Sequence, residues 1–213
     1  MWLKGIFIIL VSCGAFHLIR HRINLKKAAD KTGTAIYPAS RQEMNSILIP
    51  INYKEMEPLS KRTKSYQLVK WGSRAIIAAV VCLTWFVLTT EEILQILPTV
   101  LYLFILSIST IKHRGNFYIL PDGLIVNGKF IPWTRIKEYK VEKIMKYHPL
   151  YGLDDKINHA YKLSIKVKNI WLQTNYVVVR DPDSLDRILA LLEERGITGS
   201  QLKDSGYMSL RKN

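Results

Sequence analysis

Three runs of apolar residues divide the chain, and polar, mostly basic stretches separate them. The runs cover 2–19, 75–90 and 93–111. A helix rises about 1.5 Å per residue, so each run would be about 24–28 Å long, close to the thickness of a bilayer's hydrocarbon core. The pattern therefore predicts three transmembrane helices: an N-terminal helix over 1–19 and a helical hairpin over 75–111.

The first run has a second interpretation as a cleaved signal. Leu10-Val11-Ser12-Cys13 resembles a bacterial lipobox, in which the cysteine is lipidated and becomes the new N-terminus. However, the apolar run continues beyond Cys13, and the basic residues follow it, whereas a signal peptide carries its positive charge before the apolar core. We therefore favour a retained helix, with lipoprotein processing at Cys13 as the alternative.

Lysine and arginine are concentrated between the first and second runs. Residues 20–74 contain twelve Lys and Arg against four acids, whereas the turn between the second and third runs consists of Glu91 and Glu92. Loops rich in Lys and Arg stay in the cytoplasm. The sequence thus predicts a multi-pass protein of the cell membrane, with the N-terminus and the candidate extracellular turn Glu91–Glu92 outside. The basic linker 20–74 and the C-terminal domain would be cytoplasmic.

The residues after the third run show the period-two alternation that is typical of half-buried strands. The predicted strands are 116–120, 124–126, 129–133, 136–144, 161–168 and 171–179. Asn127-Gly128 is a strong signal for a two-residue hairpin turn. Asp181-Pro182 begins a helix that ends before Gly196, and its apolar residues form one face that can cap a sheet. We predict an α+β domain over 112–197 and a flexible tail over 198–213.

This domain resembles a known family. The stretch from Gly128 to Ile136 reads G-x-x-I-P-W-x-x-I, and with its strands and closing helix it resembles the bacterial pleckstrin-homology-like (PH-like) domain. The resemblance covers about 110–197, and the membrane helices placed before it resemble small bacterial membrane proteins that carry this domain. It implies an antiparallel barrel or sheet capped by a C-terminal amphipathic helix, with Trp133 in or near the core. It also implies a non-enzymatic binding module.

Lysines recur on several of the predicted strands. The candidate basic binding face consists of Lys137, Lys140, Lys143, Lys162, Lys166 and Lys168. If the strands pair, these side chains can form one patch that attracts anionic lipid of the inner leaflet or an acidic protein partner. The alternative is that they are ordinary surface and edge lysines. Nucleic acid is not expected as a partner, because aromatic residues are not interleaved as base stacking requires.

Composition agrees with this division into apolar and basic parts. Lys and Arg total 31 against 17 acids, the net charge is +14, and 48% of residues are hydrophobic. A soluble basic nucleic-acid-binding protein rarely has so much apolar sequence. No standard motif for catalysis, phosphate or metal binding occurs, so no enzyme activity, metal or cofactor is expected.

Two weak constellations do not change that expectation. His148, Asp154, Asp155 and His159 match no standard metal-ligand spacing, and nearby Lys146 and Lys156 oppose a cation. Glu138 and Glu142 share a strand side with Lys140 and are typical of a solvated face.

The sequence therefore predicts a non-enzymatic membrane protein whose cytoplasmic PH-like domain binds a protein segment or lipid headgroups at the inner leaflet. One alternative is an immunity protein that protects the cell from a membrane-active antimicrobial peptide, acting through the helices and the Glu91–Glu92 turn. Some proteins with the PH-like domain have that role. The other alternative is an accessory subunit of a membrane complex.

Overall fold

The computed structural model of the chain describes residues 2–50, 52–89, 102, 115–168 and 175–201. Its backbone divides into two units. A helical unit comprises 1–30 and 59–113, and an α+β unit comprises 31–58 and 114–213. Each unit is therefore assembled from two separate parts of the chain.

The elements alternate between these units along the sequence. The described α-helices are α1 (Trp2–Lys31), α2 (Arg41–Ser46), α3 (Lys64–Thr89) and α4 (Pro182–Glu194). The described strands are β1 (Ile47–Ile49), β2 (Lys54–Glu55), β3 (Phe117–Leu120), β4 (Gly123–Val126), β5 (Lys129–Pro132), β6 (Ile136–Lys143), β7 (Tyr161–Val167), β8 (Asn175–Val179) and β9 (Gly199–Gln201).

Among the described residues, α1 and α3 are long and apolar enough to cross a membrane, judged by length and composition alone. α1 contains 30 residues and is about 45 Å long at the usual helical rise. It does not end where the apolar run ends at Ile19 but continues through the basic residues to Lys31. Lys and Arg are good helix formers, so the change to basic residues ends the apolar segment but not the helix.

The third predicted membrane helix, 93–111, lies outside the described residues apart from Tyr102, and so does the predicted turn of Glu91 and Glu92. The part of the chain that the structure describes therefore contains two of the three predicted membrane helices as candidates, and the third stays a prediction.

α1 and α3 each have one buried stripe and a much wider exposed apolar surface. In α1 the stripe includes Phe7, Val11 and Leu18 at spacings of four and seven residues. The exposed side chains on the two helices include Ile9, Phe16, Leu68, Trp71, Val81 and Trp85. Only 17% of the most apolar 18-residue stretch of either helix is buried. A helix in the core of a soluble protein would bury most of such a surface.

The C-terminal end of α1 and the residues before α3 meet within the helical unit. Lys61 forms an ion pair with Asp30, and this pair raises the pKa of the Lys61 amine above its usual value. Because Asp30 is close to the end of α1 and Lys61 is three residues before α3, the basic ends of the two helices lie on the same side of the unit.

Two sheets form the α+β unit. β3, β4 and β5 make an antiparallel three-stranded sheet, and the other sheet has six strands in the order β2-β1-β8-β7-β6-β9. Within the described residues no pairing between named strands joins the two sheets, so the barrel that the PH-like resemblance allows is not closed. The observed fold is α+β with largely antiparallel sheets.

The strand predictions for 116–168 are confirmed to within a residue or two, and the Asn127-Gly128 hairpin is confirmed as well. Asn127 and Gly128 have φ angles of 52° and 73°, which are the positive values that a type I′ turn requires at both positions. Asn116 fixes the turn, because its Oδ1 accepts a 2.9 Å hydrogen bond from the Gly128 amide. Of the last predicted strand, only β8 lies within the described residues.

The six-stranded sheet contains two strands from parts of the chain where the sequence predicts a linker and a tail. β1 comes from the predicted linker 20–74 and pairs with β8, with Leu48 opposite Val178. β9 comes from the predicted tail 198–213 and pairs in parallel with β6. The stretch 20–74 is therefore not a single linker, because its parts belong to α1, to the sheet and to α3.

α4 forms as predicted and covers one side of the six-stranded sheet. The Asp181 side chain caps its start by accepting a 3.0 Å hydrogen bond from the Ser184 amide. Leu185, Ile188, Leu189 and Leu192 are buried. On the sheet side, the hydroxyl of the buried Tyr139 in β6 donates a 2.9 Å hydrogen bond to Glu193 Oε1.

Trp133 differs from its expected position. It lies in a short helical turn after β5, is only half-buried, and its indole N–H donates a 3.0 Å hydrogen bond to the Pro121 carbonyl. The side chain therefore joins the turn before β4 to the end of β5 rather than filling a barrel core.

Candidate functional site

Strand register decides which of the candidate lysines share a side of the sheet. Directly opposite residues of an antiparallel pair lie on the same side. Three such pairs between β6 and β7 define what we call the paired face: Glu138 opposite Lys166, Lys140 opposite Ser164, and Glu142 opposite Lys162. The structure thus brings Lys140, Lys162 and Lys166 together, but with two carboxylates between them.

The other three candidate lysines are arranged differently. Lys143 is opposite Tyr161, so it lies on the other side of the sheet, with its Nζ 5.8 Å from the centre of the Tyr161 ring. Lys137 is exposed where the register of β6 shifts. Lys168 follows β7, and its Nζ donates a 3.0 Å hydrogen bond to the Thr134 carbonyl. These six lysines do not form one continuous cationic patch.

Glu142 is the electrostatic centre of the paired face. Its two carboxylate oxygens lie 2.8 Å from Lys140 Nζ and 2.8 Å from Lys162 Nζ. The hydrogen bonds from Lys140 and Lys162 lower the pKa of Glu142 to about 2, although partial burial opposes them. Glu138 is bound in the same way by Lys166 at 2.7 Å, which lowers the pKa of Glu138. The two carboxylates neutralise two of the three positive charges on this face.

The paired face is also partly covered. Leu48 of β1 and Val178 of β8 lie on the same side of the sheet as Lys162. They form a buried cluster with Ile144, Ile157 and Ala160 from the connection between β6 and β7. This connection, residues 144–160, is called the cover loop below. It folds against the sheet instead of extending into solvent as a polar surface loop.

Three of the side chains that the sequence suggests as weak metal-ligand candidates, His148, Asp154 and His159, instead make contacts within the cover loop. His148 Nδ1 accepts a 3.1 Å hydrogen bond from the Leu150 amide. The Asp154 carboxylate accepts one of 2.9 Å from the Lys156 amide, and the His159 ring packs edge-on against Tyr151 at 5.9 Å. In the part of the chain that the structure describes, no group of three or more His, Cys, Asp or Glu residues could hold a metal ion.

Large apolar side chains point away from this anchored loop. Tyr147 is 95% exposed, Leu153 is 62% exposed and Met145 is 41% exposed. Sequence reasoning missed them as candidate site residues because it treated 146–159 as an ordinary polar loop. The available signal was the presence of Tyr147, Leu150, Tyr151 and Leu153 between lysines, a mixture that is unusual in a freely solvated loop.

A second feature that sequence reasoning missed is a polar cleft of about 780 Å³ between α2 and the start of α4. Some of its charged groups already have partners: Arg187 forms an ion pair with Glu43, and Asp181 caps α4. Tyr37 is buried beside this cleft, and burial raises the pKa of its phenol. Glu43 and Arg187 are 144 positions apart, so no local pattern could reveal the cleft.

Comparison of the sequence with protein-family models and with curated proteins gives no match. The site therefore has to be interpreted from its own geometry.

Replacing Glu142 by Gln tests the electrostatic role of this carboxylate. The folded-state pKa of about 2 lies below the ordinary 4.5. The stabilisation is therefore fully present above the unfolded pKa and is lost as pH falls through the folded pKa. We expect the variant to lose about 1 kcal/mol at neutral pH, because solvent screens a half-buried pair. The difference from wild type should shrink as the pH falls below about 4.5 and vanish only below about 2.

Chemical unfolding of the purified chain in detergent, repeated across this pH range, measures the effect of the Glu142 substitution. Glu138→Gln is the matched control, since it breaks a single, more exposed pair and should cost less. A difference between wild type and Glu142→Gln that stays constant down to acid pH would contradict the role of the ionised carboxylate.

Proposed function

We propose that the chain is an integral membrane protein whose α+β unit acts as a non-enzymatic binding module at the cytoplasmic face of a bacterial cell membrane. The observation that carries this proposal is the exposed apolar surface of α1 and α3. Only 17% of the most apolar 18-residue stretch of each helix is buried. Side chains as large as Trp85 and Phe16 are 73% and 64% exposed. Water is a poor solvent for such a surface, whereas lipid is a good one.

Charge supports the proposed orientation. The C-terminal part of α1 contains Arg20, Arg22, Lys26 and Lys27, and the segment leading into the apolar part of α3 contains Lys61, Arg62 and Lys64. The Lys61–Asp30 ion pair joins these two basic regions. Both would face the cytoplasm by the distribution of Lys and Arg across membranes. Since the chain runs directly from α1 into the α+β unit and from there into α3, this unit would then be cytoplasmic too.

A binding role fits the α+β unit better than a catalytic one. The ionisable groups of the paired face satisfy one another, as do Glu43 and Arg187 in the cleft. The order of elements, in which antiparallel strands precede a closing helix, is also the order that the PH-like resemblance implies. A protein segment or lipid headgroups would be the bound partner. The immunity alternative would act through the membrane helices and the turn of Glu91 and Glu92, and this turn lies outside the described residues.

Paired reporter fusions test the topology. One reporter is active only outside the cell and the other only inside, and each is placed after Thr90 and after Asn213. We expect the Thr90 fusion to report outside and the Asn213 fusion to report inside. An outside signal at Asn213 would overturn the cytoplasmic placement and favour lipidation at Cys13. An inside signal at both positions would show that α3 does not cross the membrane.

A further inference from the structure

We propose that the basic ends of α1 and α3 form a binding site for the headgroups of anionic phospholipids, built around Arg20, Trp71 and Arg74. The residues concerned, 20–30 of α1 and 59–74 before and within α3, are called the basic helix ends below. This inference rests on the proposed function, because it needs both helices to cross a bilayer. It goes beyond that function by assigning a ligand to the helical unit, whereas the proposed binding module is the α+β unit.

Positive charge is in large excess at the basic helix ends. They contain nine Lys and Arg residues and a single acid, Asp30. Asp30 pairs with Lys61, and within the described part of the chain the other eight cations form no ion pair. These eight are Arg20, Arg22, Lys26, Lys27, Arg62, Lys64, Lys70 and Arg74. In contrast to the lysines of the paired face, they have no carboxylates among them, so an anionic ligand is the complementary partner.

Two of these cations mark the boundary of the apolar runs. Arg20 directly follows the apolar run of α1, which ends at Ile19. Arg74 directly precedes the apolar run of α3, which begins at Ala75. Both arginine side chains are exposed. When the two helices cross one bilayer, Arg20 and Arg74 therefore lie at the same boundary between hydrocarbon and water, which is the level of the lipid phosphates.

Trp71 favours a lipid over a soluble anion. Its side chain is 59% exposed, and its ring lies 4.9 Å from Arg74 Cζ and 5.7 Å from Lys70 Nζ. Tryptophan has an apolar ring and a polar N–H group, and for that reason it is enriched at the boundary between lipid and water. An exposed aromatic ring beside two cations suits a headgroup with acyl chains below it. A free phosphate ion would gain nothing from the ring.

Helical structure continues through most of the basic helix ends. α1 extends to Lys31, and α3 begins at Lys64, eleven residues before its apolar run. The helices therefore carry seven of the nine cations. Positive charge alone can set the topology of a membrane helix, and no regular structure is needed for it. A preorganised surface loses little conformational entropy on binding, so this ordered arrangement fits a binding site better than a topology signal.

Electron paramagnetic resonance of spin-labelled lipids tests the inference on the full chain in phosphatidylcholine vesicles. Lipid held by the protein gives a motionally restricted component, and its fraction is compared for spin-labelled phosphatidylglycerol and spin-labelled phosphatidylcholine. We expect phosphatidylglycerol to associate several-fold more strongly than phosphatidylcholine. The double variant Arg20→Gln, Arg74→Gln should lose most of this preference. The seven cations that remain still set the topology, and the restricted fraction of phosphatidylcholine reports whether the variant spans the bilayer.

Two further variants control for charge and for insertion. Lys137→Gln with Lys146→Gln removes two exposed lysines from the α+β unit and should leave the preference unchanged. Arg74→Gln alone disturbs insertion less than the double variant and should lose a smaller part of the preference. Sodium phosphate should weaken the preference no more than sodium chloride of the same ionic strength, since both act by screening.

The possible failures are distinguishable. If the wild type restricts neither lipid, the helices do not cross the bilayer and the proposed function itself is wrong. Equal restriction of the two lipids would mean that the cations only set topology; the site would be refuted while membrane anchoring stands. An equal loss in both double variants would reveal an effect of net charge rather than a site. Competition by phosphate beyond that of chloride would assign the cations to a soluble anion and likewise overturn the inference.

Discussion

Replacing Leu48 by Ala is expected to lower the free energy of unfolding of the α+β unit by about 3 kcal/mol, the usual cost of removing a fully buried leucine side chain. Leu48 is 0% exposed, and it packs with Val178, Ile144 and Ile157 beneath the cover loop. Truncation removes apolar contacts and leaves a cavity bounded by strand and loop atoms. Because β1 pairs with both β2 and β8, the backbone there has little freedom to collapse into the space.

Chemical unfolding of the purified full chain in detergent measures the Leu48 effect, with Leu153→Ala as the matched control. Leu153 belongs to the same unit but is 62% exposed, so the same substitution should change stability by less than about 0.5 kcal/mol. If Leu48→Ala behaved like Leu153→Ala, residues 47–49 would be dispensable for the fold. That result would agree with the sequence-based prediction that 20–74 is a linker.

The elements that the sequence predicts correctly are those with a local signal. β6 and β7 alternate between apolar and charged residues over seven or eight positions, Asn127-Gly128 sets a turn by its own backbone preference, and Asp181-Pro182 begins a helix. β1 and β9 have only three residues each, too few to show alternation. Their pairing depends on β8 and β6, which are far away in the sequence, so local reasoning cannot find them.

The candidate site shows the same limit in its electrostatics. Alternation along β6 correctly places Glu138, Lys140 and Glu142 on one side of the strand. It does not give the register with β7, and only this register brings Lys162 to Glu142 and Lys166 to Glu138. Three of the six lysines that look like a cationic surface in the sequence therefore form ion pairs with these carboxylates.

The cover loop shows how a long-range contact changes the meaning of a short segment. In the sequence, 146–159 combines turn residues, charges and aromatics, which is compatible with an ordinary solvated loop. Burial of Ile157 and Ala160 against Leu48 and Val178 holds the loop against the sheet, and this fixes which side chains remain outside. Exposure of Tyr147 thus becomes informative only because the surrounding loop is anchored.

Replacing Val81 by Asp is expected to prevent α3 from crossing the membrane in most molecules. Val81 is 63% exposed and lies close to the middle of the apolar run 75–90. A carboxylate at the centre of a membrane helix costs about 2.5–3.5 kcal/mol for insertion, which is about a hundredfold in the equilibrium between inserted and uninserted helix. In water the same substitution would replace an exposed apolar side chain by a charged one and make the helix more soluble.

A reporter fused after Thr90 measures this effect as the fraction of molecules whose α3 C-terminus reaches the outside. Leu68→Asp is the matched control, since Leu68 is on the same helix and is 62% exposed, but it precedes the apolar run. Acidic residues beside a membrane helix influence orientation little, so this variant should report outside like the wild type. Equal signals from both variants would mean that the bilayer does not surround Val81. The exposed surface of α3 would then require a protein partner. The exposed apolar surface would no longer support the proposal that the chain is a membrane protein.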